Sequence, residues 1–544
     1  ALTTTTLDQR GKPRIFDEIV DMGAYEVQVL TPEIPPQPPP IDPIIAPEPL
    51  PTDPVIDPEP ALVKPVNVLK PTPEDPPTPE IPCLAPCEPQ EKPELAVKFA
   101  EQLQTDTPDR SPLDLGLEEL EMQITQEYRD YLSLDTTPDL TLVEAQAILQ
   151  RIAQQTGQNP AILYMTFVPP GLETTADFGR SLLASASLDD PFPMAQRSHT
   201  LDPNDELQLV LVTPTGTPIL KRVRINRGQV AATVSQLARS MARVSNHNYL
   251  QPAQELYRWL IAPFKTDLAS YGIDHLGIIA DTGLRFIPFA ALHDGEQFLI
   301  AKYSVGLMPS LSLTEHTYQP IQGLPILAMG ASEFTHQAPL PAVPLELNLI
   351  TQEISSGEKL INADFTLERL RAARDRHAYQ IIHLGTHGEF NPGSPAESYI
   401  ELWGDRLTLD RIRELGLNNP PVELLVLSAC RTALGSNEAE LGFAGFAIQA
   451  GVKSALGSLW YVSDLGTLAL MSGFYQKLQT APIKAEALRQ AQLAMLRGEI
   501  TLDGDYLISG DQTLSLPPEL LALGSVNLSH PYYWSAFTMI GSPW

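Results

Sequence analysis

Cysteine is scarce in this chain: Cys83, Cys87 and Cys430 are the only three in 544 residues. Three thiols cannot make a disulfide scaffold. Basic residues are also short, 36 Lys and Arg against 66 Asp and Glu, for a formal net charge of −30. That balance argues against nucleic acid or an anionic membrane as partner, since both need clustered cations. No apolar run reaches the roughly 18 residues of a transmembrane helix, so no membrane span is expected. Glycines follow no strand in the register of a phosphate-binding loop; Gly442, Gly445 and Gly451 read as opening and closing a helix. Metal-ligand spacing is missing too, and no metal or other cofactor is expected.

Proline is abundant, 53 residues, and most unevenly spread. The length allows about two to four domains, and the 43% hydrophobic content supplies a core for part of the chain. Residues 1–29 include DQRGKPRIFDEIVDMGAYEV, a stretch that resembles the closing coil of a right-handed parallel β-helix of the surface-adhesin type. One coil cannot bury its own apolar face, so for this segment alone a disordered tail is the competing expectation. The chain starts with Ala in mid-pattern, which reads as a processed product or a partial chain. Residues 30–94 run PEIPPQPPPIDPIIAPEPLPTDPVIDPEPA and similar. Proline fixes φ and removes donors while the acids repel, so this is an extended, disordered acidic linker. Cys83 and Cys87 lie inside it as incidental thiols, or as one local disulfide in an exported protein.

Helical periodicity spans 95–157. Thr141 and Glu144 make a capping box, Leu142, Ala145, Ile148, Leu149 and Ile152 share one face, and Gly157 is the stop. These helices are expected to pack on the module that follows, with a regulatory protein partner as the other use of them. From 158 to 544 short strands alternate with helices. Strands are expected at 161–168, 207–212, 275–280 and 326–330, a loop at 185–199, and helices at 230–244 and 254–271, the latter with Tyr257, Trp259 and Leu260 on its core face. Such alternation predicts an α/β/α sandwich around a mainly parallel sheet.

Two further apolar runs, 379–384 and 424–427, are too short for independent helices and read as buried strands. Each ends in a small-residue turn, one carrying His387 before Gly388, the other Cys430 after Ser428 and Ala429. Reacting groups in open parallel sheets gather beyond the carboxyl ends of the strands. A thiol and an imidazole placed there form a nucleophile–base pair, the base offsetting a free thiol pKa of about 8.5. Histidine precedes cysteine by 43 residues, from 387 to 430, close to the roughly 50 of caspases. His383 sits within the apolar run and reads as core, and Asp405 and Glu389 read as solvated loop charges.

At these residues a resemblance becomes specific. His387-Gly388, Ser428-Ala429-Cys430-Arg431-Thr432, Gly457-Ser458-Leu459-Trp460 and Asp464 resemble a CHAT domain, a caspase-like peptidase module of the clan of caspases, separases and gingipains. The likeness runs from about residue 161 to 544, is nearest the cyanobacterial branch, and includes IPFAALHDGEQFLI, LPAVPLEL, ELGFAGFAIQAGVKSALGSLWYVSD and HPYYWSAFTMIGSPW. It implies His387 as general base and Cys430 as nucleophile, with the Gly388 and Cys430 amides as oxyanion hole. It also implies substrate contacts from Asp464 (an acid at the floor of the S1 pocket), Trp460 along the cleft wall, Ser458 and Glu440. At Glu440 the chain departs from the family pattern, reading Leu441-Gly442 where an acidic–glycine pair is expected. Asp464 also precedes an amphipathic helix and could be its N-cap. The 530–534 stretch is expected in the last strand, its rings filling the sheet face.

The expectation is a cysteine endopeptidase of the caspase-like type, cleaving a protein or peptide substrate through a His–Cys dyad, with a basic residue at P1 as a finer reading. Two rivals stay open: a catalytically silent regulatory or scaffold module, and a surface adhesin whose CHAT part assists maturation. The compartment is open as well, a bacterial cell surface or the extracellular space if the β-helix likeness holds, and the cytoplasm otherwise.

Overall fold

In the computed structural model the described residues are 112–544, without 136–137, 139, 172–200, 433–435, 511 and 522–525, plus the backbone of 15–16 and 19–20. For 112 and 429–432 the backbone alone is described. The chain divides into two compact units, Ala1–Pro108 and Asp109–Trp544. In the first, β1 (Ile15–Phe16) pairs antiparallel with β2 (Ile19–Val20). The β-helix reading of 1–29 otherwise lies outside the described residues, as do the linker 30–94 with Cys83 and Cys87, the start of the helical segment at 95–111, and the loop at 185–199.

The second unit opens with α1 (Pro112–Leu132) and α2 (Leu142–Thr156). In α2 the Thr141 side chain accepts the Glu144 N–H, the Glu144 carboxylate accepts the Thr141 N–H, and Gly157 closes the helix at φ 69°, in the left-handed region that favours glycine. Both helices pack into the body of the unit. Glu121 of α1 is buried and accepts from the Tyr164 hydroxyl at 2.8 Å and the Ser312 N–H at 2.7 Å, while Thr125 donates to Ser310 at 2.8 Å.

After them come β3 (Pro160–Val168), β4 (Glu206–Val212), β5 (Ile219–Asn226), α3 (Arg227–Met241), α4 (Leu250–Leu260), β6 (His275–Ala280) and β7 (Ser304–Leu307). The second part of the unit adds β8 (Ile326–Gly330), α5 (Val343–Asn348), β9 (Gly357–Ile361), α6 (Leu367–Arg376), β10 (Ile381–Phe390), β11 (Tyr399–Leu402), β12 (Asp405–Thr408), β13 (Leu424–Thr432) and α7 (Asn437–Ala444). It closes with β14 (Ser454–Ser458), α8 (Asp464–Leu478), α9 (Lys484–Leu496), a small antiparallel sheet of β15 (Ile500–Asp503), β16 (Tyr506–Ser509) and β17 (Gln512–Ser515), and β18 (Phe537–Gly541).

Among the described residues thirteen strands make one sheet flanked by helices, a mixed α/β fold with a mainly parallel centre, as expected. β9, β8, β10, β13 and β14 run parallel to one another. β18 joins β14 antiparallel and starts a second parallel run through β7, β6 and β3, edged by β4 and β5. The hairpin β11–β12 adds to the C-terminal extension of β10. Leu424 to Leu427 in β13 and Ile381 to Leu384 in β10 are all at most 1% exposed. Each such aliphatic side chain contributes roughly 1.5–3 kcal/mol by leaving water, which fixes both strands centrally.

Three local expectations need correction. The 254–271 helix is broken: α4 ends at Leu260, and a 3-10 turn containing Pro263 separates it from Lys265–Ser270, because proline cannot donate to the helix ladder. Within α4, Trp259 is only partly buried, unlike Tyr257 and Leu260. Residues Pro531–Trp534 form a helical turn whose N-cap is His530, and the last strand begins only at Phe537. Lastly, β10 and β13 do not stop before His387 and Cys430 but run through them, to Phe390 and Thr432.

Candidate active site

β10 and β13 pair in parallel with Ile381 opposite Leu424 through Leu384 opposite Leu427. The register then slips between Leu384 and His387, and resumes with His387 opposite Ala429 and Gly388 opposite Cys430. A bulge of this kind re-aims a strand locally. It brings the His-Gly and Ala-Cys dipeptides side by side on neighbouring strands, which lie roughly 4.8 Å apart. The residue facing the Cys430 backbone is thus a glycine, with no side chain to fill the space. The Gly388 and Cys430 backbones, the two expected amides of an oxyanion hole, are direct neighbours.

The His387 ring is partly exposed, and its surroundings are built by residues 331–342, which follow β8. Phe334 meets the imidazole edge-on at 4.6 Å between centroids. Nε2 lies 2.8 Å from the carbonyl oxygen of Ala338. A carbonyl can only accept, so Nε2 carries the hydrogen, and Nδ1 becomes the basic nitrogen of the neutral ring. Residues 331–342 were not singled out by sequence reasoning as part of the site. The available signal was Pro339 and Pro341, the second of them inside the family-like stretch LPAVPLEL.

His383 is indeed core. It is fully buried, with Nδ1 3.1 Å from the Tyr475 hydroxyl and Nε2 2.7 Å from the Glu346 carboxylate. Glu389 is no solvated loop charge: it lies in β10, partly buried and close to Tyr399, whereas Asp405 opens β12 and is exposed.

Asp464 is the first residue of α8, and the N-cap is Ser463, whose hydroxyl accepts the Gly466 N–H at 3.3 Å. The Asp464 carboxylate is therefore not spent on the cap. Its Oδ2 accepts the Ala342 N–H at 3.2 Å. Burial pushes this carboxyl up to about 7; the Ala342 N–H opposes the rise and the nearby Glu346 adds to it.

The remaining expected substrate residues are buried. Ser458 ends β14 opposite Phe537 at 1% exposure. Trp460 is 4% exposed, and its indole N–H donates to the Tyr532 carbonyl at 3.1 Å. Glu440, in the first turn of α7, accepts the Gly283 N–H at 2.7 Å and is 3% exposed. It belongs to a polar cluster with Arg285, which is buried, ion-paired to Glu127 and stacked over the Tyr128 ring at 5.0 Å. This cluster ties α1 to α7, the helix that follows the cysteine strand. A substrate contact from Glu440 would require leaving that tie.

Burial pushes Glu440 up to about 7, against the opposing charge of Arg285. An acid whose folded pKa lies above its unfolded value of 4.5 contributes stability at low pH that is lost as pH rises through about 7. Glu440→Gln keeps an oxygen for Gly283 and drops the charge. It should melt above the parent at pH 8, with the gap closing as pH falls towards 4.5, and leave the KM for peptides unchanged. A raised KM with an unaltered melting profile would return Glu440 to the substrate site.

Among the described residues no group of three or more His, Cys, Asp or Glu could hold a metal, and no helix is long and apolar enough to cross a membrane. The family model of the CHAT domain matches residues 250–542, more than half of the sequence. The chain belongs to the CHAT domain family. The match takes in β10, β13, α7 and α8, and so His387, Gly388, Cys430, Glu440, Ser458, Trp460 and Asp464, though not Glu127 and Tyr128 of α1. Among solved structures, this CHAT chain is similar to the Saccharomyces cerevisiae separase–securin complex at 3.0 Å, with 9% identity and a TM-score of 0.39 over 83% of this chain and 34% of that one. It is also similar to the pro- and mature domains of Porphyromonas gingivalis RgpB, with 12% identity and a TM-score of 0.34 over 54% of this chain and 69% of that one. The CHAT chain spans about a third of the separase chain it matches. No curated protein matches it in sequence.

Proposed function

We propose that the protein is a caspase-like cysteine endopeptidase with His387 as general base and Cys430 as nucleophile, preferring a basic residue at P1. The observation that carries this reading is the register of β10 and β13, which sets His387-Gly388 beside Ala429-Cys430, with the His387 tautomer fixed by Ala338.

In the reaction the Cys430 thiol gives its proton to His387 Nδ1, and the thiolate attacks the scissile carbonyl carbon. Negative charge moves to the carbonyl oxygen, where the Gly388 and Cys430 amides receive it. Collapse expels the amine, which takes the proton from His387, and leaves an acyl-thioester on Cys430. Water, deprotonated by the same imidazole, then releases the carboxylate product and the thiol. Asp464 supports the basic P1 reading: beyond the bond to Ala342, its carboxylate takes no other hydrogen bond from a described residue. Its charge can therefore meet a guanidinium or ammonium.

An acyloxymethyl-ketone peptide with Arg at P1, a thiol-directed probe, tests the assignment. Mass spectrometry should find it on Cys430 and not on Cys83 or Cys87, and labelling should vanish in His387→Ala. Equal labelling of all three thiols would show that Cys430 is not activated and would favour the silent-module rival.

A further inference from the structure

Residues 338–342, Ala-Pro-Leu-Pro-Ala, connect two groups of the site that sequence reasoning treated as independent. At one end the Ala338 carbonyl accepts from His387 Nε2 at 2.8 Å; at the other the Ala342 N–H donates to Asp464 Oδ2 at 3.2 Å. The connection has little slack. Pro339 and Pro341 each have a fixed φ. Between them Leu340 is fully buried, its N–H donates to the Ser332 carbonyl at 3.0 Å, and its own carbonyl accepts from Val343 at 3.2 Å. Ser332 is held in turn by Asn362 at 2.9 Å. The Ala342 carbonyl accepts the Glu346 N–H at 2.9 Å as α5 begins. A displacement of Ala342 therefore has to be taken up at Ala338.

We propose that Asp464 is a positioning residue for the catalytic base: it holds Ala342, and the proline-stiffened strut 338–342 carries that constraint to His387. This rests on the peptidase reading above and deepens it. The carboxylate that would meet the P1 cation also sets the tautomer and orientation of the imidazole, so specificity and base are mechanically joined. Ser463 already caps α8, so the carboxylate is not needed for the helix end.

The experiment uses the full chain and two readouts. One is the rate of iodoacetamide alkylation at Cys430 against pH, followed on its own peptide by mass spectrometry. The other is the ring-nitrogen NMR signal of His387 in ¹⁵N-histidine-labelled protein, identified by its loss in His387→Gln. Asp464→Ala should slow alkylation at pH 7 on the order of tenfold or more, raise the pH midpoint, and move the His387 ring away from the Nε2–H tautomer. Asp464→Asn still offers an oxygen to Ala342, so it should keep both readouts near the parent while losing the preference for Arg at P1. Pro341→Gly loosens the strut and should reproduce the alkylation defect with the Arg preference retained. Parental alkylation and a parental His387 signal in Asp464→Ala, or in Pro341→Gly should Asp464→Ala not fold, would overturn the coupling. If instead the parent's Cys430 alkylates no faster than free glutathione, the peptidase reading fails, and the His387 signal alone decides whether the strut acts.

Discussion

Peptide hydrolysis should fall on the order of 10⁴-fold in Cys430→Ala, in His387→Ala and in the double variant alike. The equality matters more than the size. A thiol without its base is protonated and weakly nucleophilic, and a base without its thiol has nothing to activate, so removing the second partner costs little once the first is gone. The shared register of the two strands motivates this, because neighbours in one ladder act as a unit. Additive losses, or a His387→Ala enzyme near the parental rate, would mean that some other group deprotonates the thiol. His383 could not be that group in this fold, since its ring is fully buried between Tyr475 and Glu346. Circular dichroism of each variant should match the parent, because the buried apolar stretches of β10 and β13 end at Leu384 and Leu427, before either substituted position.

The second large effect concerns P1. The ratio of kcat/KM for Arg over norleucine at P1 should drop on the order of a hundredfold in Asp464→Asn, mainly through the Arg substrate. Using a ratio cancels the titration of the dyad, which both substrates share. In the parent the ratio should also depend on pH. The carboxyl is held up to about 7 by burial, so at pH 6 most of it is neutral and attracts no cation. The preference should grow between pH 6 and 8 and flatten above, and in Asp464→Asn it should be flat throughout. A parent that prefers Asp or a bulky apolar residue at P1 would show that Asp464 does not meet substrate, leaving only its bond to Ala342.

Much of this protein was legible in order along the chain. The α2 capping box, the strands at β6 and β8 and the buried centres of β10 and β13 depend on spacing and side-chain type within a few residues. Such local rules act before distant segments meet. Where the reading failed locally, a competing local rule was at hand, as with Pro263 breaking the helix after α4. The extension of β10 through His387 was not visible, because Gly385, Thr386 and Gly388 have weak strand propensity. Only pairing with β11 on one side and β13 on the other keeps them extended.

Periodicity alone pointed to the class of fold and short motifs to the CHAT family, while His387 and Cys430 follow only as the expected reacting pair, because few side chains are able to do that chemistry. The tertiary structure alone decided what each of those groups touches. It turned Glu440, Ser458 and Trp460 inward, gave the cap of α8 to Ser463, and set Ala338 and Ala342 between His387 and Asp464. Backbone carbonyls and N–H groups carry no mark in a sequence. Which of them meets a given side chain depends on loop paths that are settled only once the whole sheet has formed.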